Sequence, residues 1–297
     1  MNYIKFPNNF AELEEDISNY NDSRVVILPI PYEKTTTYTK GTKNGPNAII
    51  KASRNMEIYD EELGKNISDI GICTLNPLII DKNPEEMIYD VFENVKKIIN
   101  KNKFPIFIGG EHSITPACIK AFAENYDDFS VLQLDAHTDL REEYNGTKFN
   151  HACTMRRSLE FCNNIVPVGI RSLCEEEANF IKNNKIKIFW AKDIFDNDNW
   201  IDEVVSKLSK NVYITFDLDV LDPSIMPSVG TPEPGGLYYY PLLKLFKKIF
   251  ERKNIVGFDV VELRPNQNDI SPDFTAAKII YKMIGYKFNK NNNSDSK

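Results

Sequence analysis

Asp135, His137 and Asp139 alternate with other residues in "VLQLDAHTDLRE" (131–142), directly after an apolar run. Three further runs end in the same way: "FPIFIGGEHSIT" in Glu111 and His112, "VYITFDLD" in Asp217 and Asp219, and "IVGFDVVELRP" in Asp259 and Glu262. In extended backbone, residues i, i+2 and i+4 project to one side, so Asp135, His137 and Asp139 converge if the strand geometry persists, as do Asp217 and Asp219. Four or five carboxylates cannot share a cleft unneutralised, because like charges a few ångströms apart raise one another's pKa steeply. If these clusters meet, a cation must sit among them. Imidazole and carboxylate donors without sulfur suit a borderline-hard divalent ion such as Mn²⁺, with Fe²⁺, Co²⁺ and Zn²⁺ as further options. Two such ions about 3.5–4 Å apart, sharing carboxylates, make hydroxide near neutral pH and clamp an electrophile.

Each piece alone is weak. A lone Asp-x-His-x-Asp more often binds turn amides than a metal, and a D-x-D after a strand also fits an aspartyl-phosphate nucleophile. A calcium loop in "DLDVLDP" fails because its sixth position is Asp222 rather than Gly and its twelfth is Ser228 rather than Glu. The set is more telling than its members: all three histidines of the chain, His112, His137 and His151, fall in or just beyond these motifs.

The elements that must position them alternate along the chain. Short β-branched or aromatic runs at 25–30, 104–109, 129–134, 165–170, 185–190, 212–220 and 254–263 read as strands covered on both faces. Between them, the segments 84–102, 197–210, 241–252 and 273–287 carry helical apolar periodicity, the first opened by Asn83 and Pro84. This alternation implies a mainly parallel sheet with helices on both faces, with sites at the carboxyl ends of strands. Neither repeats nor a linker interrupt it, so one domain is expected over 1–288, followed by a polar, disordered tail at 289–297.

A net charge of -7 without a basic block argues against nucleic acid as a partner. No apolar run has the length of a membrane span or signal peptide, so a cytosolic protein is expected. Five cysteines without a Cys-x-x-Cys pair fit buried thiols in a reducing compartment.

In order and spacing, "GGEHSIT" (109–115), "LDAHTDLR" (134–141), "FDLDVLDPS" (216–224), "GTPEPGG" (230–236) and "GFDVVEL" (257–263) resemble the arginase/agmatinase ureohydrolase family. So does "TTTYTKGTKNGPNAI" (35–49), which is similar to the loop at the mouth of that family's site. The resemblance implies a three-layer α/β/α fold and two Mn²⁺ per subunit. His112, Asp135, Asp139 and Asp217 would hold one ion, and Asp135, His137, Asp217 and Asp219 the other. Glu111, beside His112 on an extended segment, would point away from the metals and support the site from behind. The implied reaction is hydrolysis of a guanidinium by attack of a metal-bridging hydroxide. His151 is then the proton-handling catalytic residue, for which a pKa in the neutral range is suited, and Glu262 pairs with the substrate guanidinium.

The resemblance also implies a small guanidino substrate, with agmatine, giving putrescine and urea, preferred. Glu142 and Glu233 are expected to contact its cationic end, since Glu142 and Glu143 would repel a carboxylate. Arg141 runs against that charge logic, and Cys153 departs from the usual pattern. Aminopropyl-agmatine, giving spermidine and urea, is the alternative, ahead of guanidinobutyrate, formiminoglutamate or arginine. A deacetylase-like enzyme would call for one metal and adjacent histidines, and a non-catalytic relative for a lost ligand; this sequence has neither feature. The family's habit implies a homo-oligomer, trimeric or hexameric.

Overall fold

The four runs Val25–Ile30 (β1), Phe104–Gly109 (β3), Phe129–Leu134 (β4) and Ile165–Ile170 (β5) are strands over the full length of their apolar stretches. With Ile72–Thr74 (β2), Phe189–Trp190 (β6), Asn211–Asp217 (β7) and Asn254–Val261 (β8) they form one sheet in the order β2-β1-β3-β8-β7-β4-β5-β6. Every pairing within it is parallel. The computed structural model describes residues 1–99, 101–195 and 199–289.

Alternate strand residues enter two separate cores, as a sheet buried on both faces requires. Val25 and Ile27 belong to one core together with Ile49 of Gly45–Ser53 (α1), Val204 of Trp200–Lys207 (α5), Phe246 of Tyr239–Arg252 (α6) and Ile280 of Ser271–Lys287 (α7). Val26 and Leu28 point the other way, toward Val91 of Pro84–Ile99 (α2), Ala117 of Thr115–Ala123 (α3) and the partly buried Phe180 of Glu175–Asn184 (α4). The fold is therefore the expected α/β/α sandwich. Lys282 of α7, buried, pairs with Asp60 at 2.9 Å, Glu61 at 3.2 Å and Glu62 at 3.3 Å, fastening the small hairpin that begins at Tyr59.

Several boundaries differ from expectation for local reasons. The strand expected at 185–190 pairs only from Phe189, because Lys185 takes a left-handed φ of 54° and closes α4. The helix expected at 84–102 ends at Ile99; Asn102, also left-handed, reverses the chain, and Asn100 lies outside the described residues. The helix expected at 197–210 runs from Trp200 to Lys207, with 197 and 198 outside the described residues, as is most of the expected tail, 290–297. The last two predicted strands stop at Asp217 and Val261, each just where a carboxylate must leave the sheet.

Registers bring these ends level. Val260 pairs with Ile108, Val261 with Asp217, and Phe216 with Leu134. The segments following β3, β8, β7 and β4, neighbours in the sheet, thus emerge at one edge. Gly110 permits the closest approach there, since a Cβ on it would run into the Tyr32 carbonyl.

Candidate metal centre and its cavity

Two groups of candidate ligands form at this edge and share one residue: His112 with Asp135 and Asp139, and His137 with Asp135 and Asp219. His112 Nδ1 lies 3.1 Å from Asp139, 3.4 Å from Asp135 and 3.4 Å from Asp217. His137 Nδ1 lies 2.9 Å from Asp219 and 3.7 Å from Asp135. All six residues proposed from the sequence as ligands are therefore brought together.

The route differs from simple strand alternation. β4 ends at Leu134, and a turn rather than a strand carries the next five residues; in it the His137 N–H donates to Asp135 Oδ1 at 2.6 Å, and Asp139 adopts φ 51°. After β7, Asp217 caps a single helical turn by accepting from the Asp219 N–H at 2.9 Å, and Asp219 in turn accepts from the Ala136 N–H at 2.9 Å. Glu262 also has a left-handed φ, 67°. Such backbone in non-glycine residues costs on the order of 1–3 kcal/mol and persists where the surroundings over-determine it, typically at functional sites.

The electrostatics ask for a cation. Burial disfavours charge on the His112 ring, yet Asp135, Asp139 and Asp217 hold its pKa well above the ordinary value. Against the same burial, Asp219 and Asp135 raise His137 to about 12. Burial and the Asp135 charge push Asp139 up to about 7, and burial with Asp219 and Asp135 pushes Asp217 well up. Asp135 is lowered despite burial, by both imidazoles. The buried carboxylates are thus offset by the two imidazoles and by the upward push on Asp139 and Asp217. A divalent ion would do this better with neutral imidazoles as ligands.

Hydrogen bonding selects the ligating nitrogen of His112. Its Nε2 lies 2.8 Å from Thr215 Oγ1, and Thr215 donates to Asp259 Oδ1 at 2.7 Å. With its one hydrogen committed to Asp259, Thr215 accepts from Nε2–H, which leaves Nδ1 as the bare nitrogen. Among the described residues that buried atom has no hydrogen-bond partner, and it faces the three carboxylates. The residues present fit a metal ion held by nitrogen and oxygen.

Beside the cluster lies a cavity of about 210 Å³, whose other walls include Thr37, Arg141, Tyr144, Cys174, Glu177 and Thr231. His151 and Glu262 line it as expected, with His151 Nδ1 4.0 Å from Glu262 Oε1. The same oxygen accepts from the His112 N–H at 2.7 Å. Burial, little offset by that hydrogen bond, pushes Glu262 up to about 8. Glu233 is not a lining residue, but its carboxylate lies 3.8 Å from Nε2 of His137, which is one. Glu142, proposed to contact substrate, is not a lining residue: it pairs with Arg156 at 2.9 Å, Arg157 at 3.1 Å and Lys148 at 3.1 Å. Two of these three cations, Arg156 and Arg157, lie on the short helix Thr154–Ser158. Arg141 does line the cavity, with its guanidinium 4.6 Å from the Tyr144 ring centre.

His151 departs from the expected neutral range. Burial, then the charges of His137 and His112, lower it to about 4. The unfolded chain, with an ordinary value near 6.5, takes up a proton first as pH falls. Stability from this group is thus complete above pH 6.5 and declines toward pH 4, by up to about 3 kcal/mol. His151→Asn should abolish that decline: in urea melts of the metal-free protein, in which His137 and His112 carry charge, the variant should gain about 2 kcal/mol on the wild type between pH 7 and 4.5. An unchanged difference would count against a buried neutral imidazole.

Sequence reasoning overlooked two supports. One is Thr215 with Asp259; its signal, a hydroxyl two residues before Asp217 in "YITFD", is faint. The other is Arg171, which donates to the carbonyls of Asp219 at 2.7 Å, Glu233 at 2.9 Å and Gly169 at 3.0 Å, tying the helical turn after β7 and the segment carrying Glu233 to β5. An arginine directly after a strand at the site edge was its signal.

Comparisons with known proteins agree with this geometry. The Arginase family profile matches residues 23–285. The chain is 42% identical over 288 residues to the N(1)-aminopropylagmatine ureohydrolase of Synechocystis sp., covering 94% of each. It is 37% identical over 269 residues to the enzyme of that name from Thermus thermophilus, covering 90% of this chain and 92% of the relative. The crystal structure of agmatine ureohydrolase of Thermoplasma volcanium superposes with a TM-score of 0.87 at 32% identity, covering 95% of this chain and 94% of that one. The chain belongs to the arginase family. It is a ureohydrolase of the agmatinase type, a hydrolase acting on carbon–nitrogen bonds of guanidino compounds. Among the described residues, no helix is long and apolar enough to cross a membrane.

Proposed function

We propose that the protein hydrolyses the guanidinium of N1-aminopropylagmatine, releasing urea and spermidine, with two Mn²⁺ held by His112, Asp135, His137, Asp139, Asp217 and Asp219. The observation that carries the metal reading is Asp135 shared between two ligand groups. The aminopropyl substrate is supported by the names of the relatives at 42% and 37% identity. Agmatine, preferred from the sequence alone, is the second reading, supported by the similar solved structure.

Bound divalent ions would supply hydroxide near neutral pH and stabilise developing charge. The chain's own residues would do the rest. Glu262 would bind the substrate guanidinium through its carboxylate, held in place by the His112 N–H at 2.7 Å. His151, neutral at pH 7, would take up at Nδ1, beside that carboxylate, the proton lost by the attacking oxygen as its bond to carbon forms, and pass it to the amine departing as the C–N bond breaks. The aliphatic part of the substrate would lie along the cavity past Tyr144 and Thr231, with its amine toward the carboxylate of Glu233 beside His137. We place this chemistry in a single domain over 1–288, in a cytosolic homo-oligomer.

Mn²⁺-loaded protein should release urea from aminopropylagmatine and agmatine at a kcat/KM at least tenfold above that for arginine or guanidinobutyrate, measured side by side. Higher turnover of agmatine than of its aminopropyl derivative would exchange the two readings. No urea from any of the four would overturn both.

A further inference from the structure

Glu111 is fully buried one residue before His112, and among the described residues its carboxylate forms no ion pair. Four donors converge on it instead. Oε2 accepts from the backbone N–H groups of Lys34 at 2.8 Å and Thr35 at 2.7 Å. Oε1 accepts from the hydroxyls of Thr35 at 2.8 Å and Ser113 at 2.5 Å. Four donors around two oxygens suit an ionised carboxylate, which only accepts.

The Thr35 hydroxyl also accepts, from the His151 N–H at 2.9 Å. Direction is fixed along this line, because a peptide N–H can only donate and Thr35 has a single hydrogen, which goes to Glu111. The chain His151 N–H to Thr35 Oγ1–H to Glu111 Oε1 therefore joins the end of β3 to the histidine across 40 residues of sequence. The His151 carbonyl is held too, accepting from Thr154 Oγ1 at 2.8 Å. The mouth loop that carries Thr35 is tied down independently. Glu33 accepts from the Gly41 and Lys43 N–H groups at 3.0 Å, and Thr39 Oγ1 donates to the Gly230 carbonyl at 2.7 Å. Thr35 is thus a fixed post rather than a follower of His151.

We propose that Glu111 is a positioning residue for His151, acting through the Thr35 hydroxyl. This rests on the reading of His151 as the proton-handling group. A buried carboxylate held by four neutral donors is a stiff anchor, and misplacing a reacting group by about 1 Å costs roughly 100-fold in rate.

The test is a double-mutant cycle on the Mn²⁺-loaded enzyme with aminopropylagmatine, following kcat, KM and bound metal. Thr35→Val removes the hydroxyl at nearly constant volume, and should lower kcat about 10- to 100-fold with KM and metal content within threefold of wild type. Thr35→Ser should restore kcat to within threefold. Glu111→Gln, which turns an amide donor onto existing donors, should match Thr35→Val. Adding Thr35→Val to His151→Asn should cost no more than threefold further, since the relay then has nothing left to position. If Thr35→Val does not fold, Thr35→Ala carries the same expectations. Wild-type kcat in the Thr35 variants, a change in KM alone, or losses that multiply in the double variant would overturn the proposal. Wild-type kcat in His151→Asn would instead overturn the proton role of His151, and the proposal with it.

Discussion

Asp135→Ala is expected to strip the protein of bound metal and to lower urea release by at least roughly a thousandfold. Asp135 is fully buried, and it belongs to both ligand groups. Its two oxygens are already aimed, one by the His137 N–H at 2.6 Å and the other by Gln133 Nε2 at 3.0 Å. Removing partners that merely orient a metal ligand costs about 10- to 100-fold, so loss of a ligand shared by two ions should exceed that range. Atomic emission on the purified variant, alongside the urea assay, checks both halves. Full metal content with lost activity would assign Asp135 a different role.

Glu262→Gln should separate substrate binding from metal binding. The amide keeps an acceptor for the His112 N–H but, unlike the carboxyl that burial pushes up to about 8, it cannot lose a proton to a substrate guanidinium and meet it as a charge. Deleting one partner of a buried, hydrogen-bonded charge pair costs about 2–5 kcal/mol, a fall in kcat/KM of roughly 30-fold to several thousandfold. Metal content should stay at the wild-type level. A kcat/KM within threefold of wild type would exclude the proposed contact with the guanidinium.

Much of this site was legible because its residue types are hard to place otherwise. Six His and Asp side chains after apolar runs demand a common cation, and the structure does converge them. What the periodicity of strands could not reveal is how they converge. Asp139 reaches His112 through a left-handed residue, and Asp219 reaches His137 from a helical turn capped by Asp217. Both depend on backbone hydrogen bonds that leave no pattern in residue type. The strands β1, β3, β4 and β5 were readable to the residue because burial on both faces leaves an unbroken apolar run. α1, α3 and α4 were missed: α1 begins with Gly and Pro, α3 is buried almost throughout, and α4 has few apolar residues to show a period. For Glu142, the adjacent Glu143 suggested a repulsive acidic pair, while Arg156 and Arg157, which pair with Glu142, arrive from further along the chain.

The sheet order carries a consequence for how the molecule comes into being. The central strands run β3-β8-β7-β4, so the chain fills the middle of the sheet last. His112 and Asp135 emerge from the ribosome long before β7 and β8 exist to lie between their strands. Neither ligand group can therefore guide the early stages of folding: the second waits for Asp219, and the cavity wall for Glu262. Pairings of such sequence separation form slowly. Metal uptake should accordingly be a property of the finished chain, and a nascent chain halted before β7 should bind none.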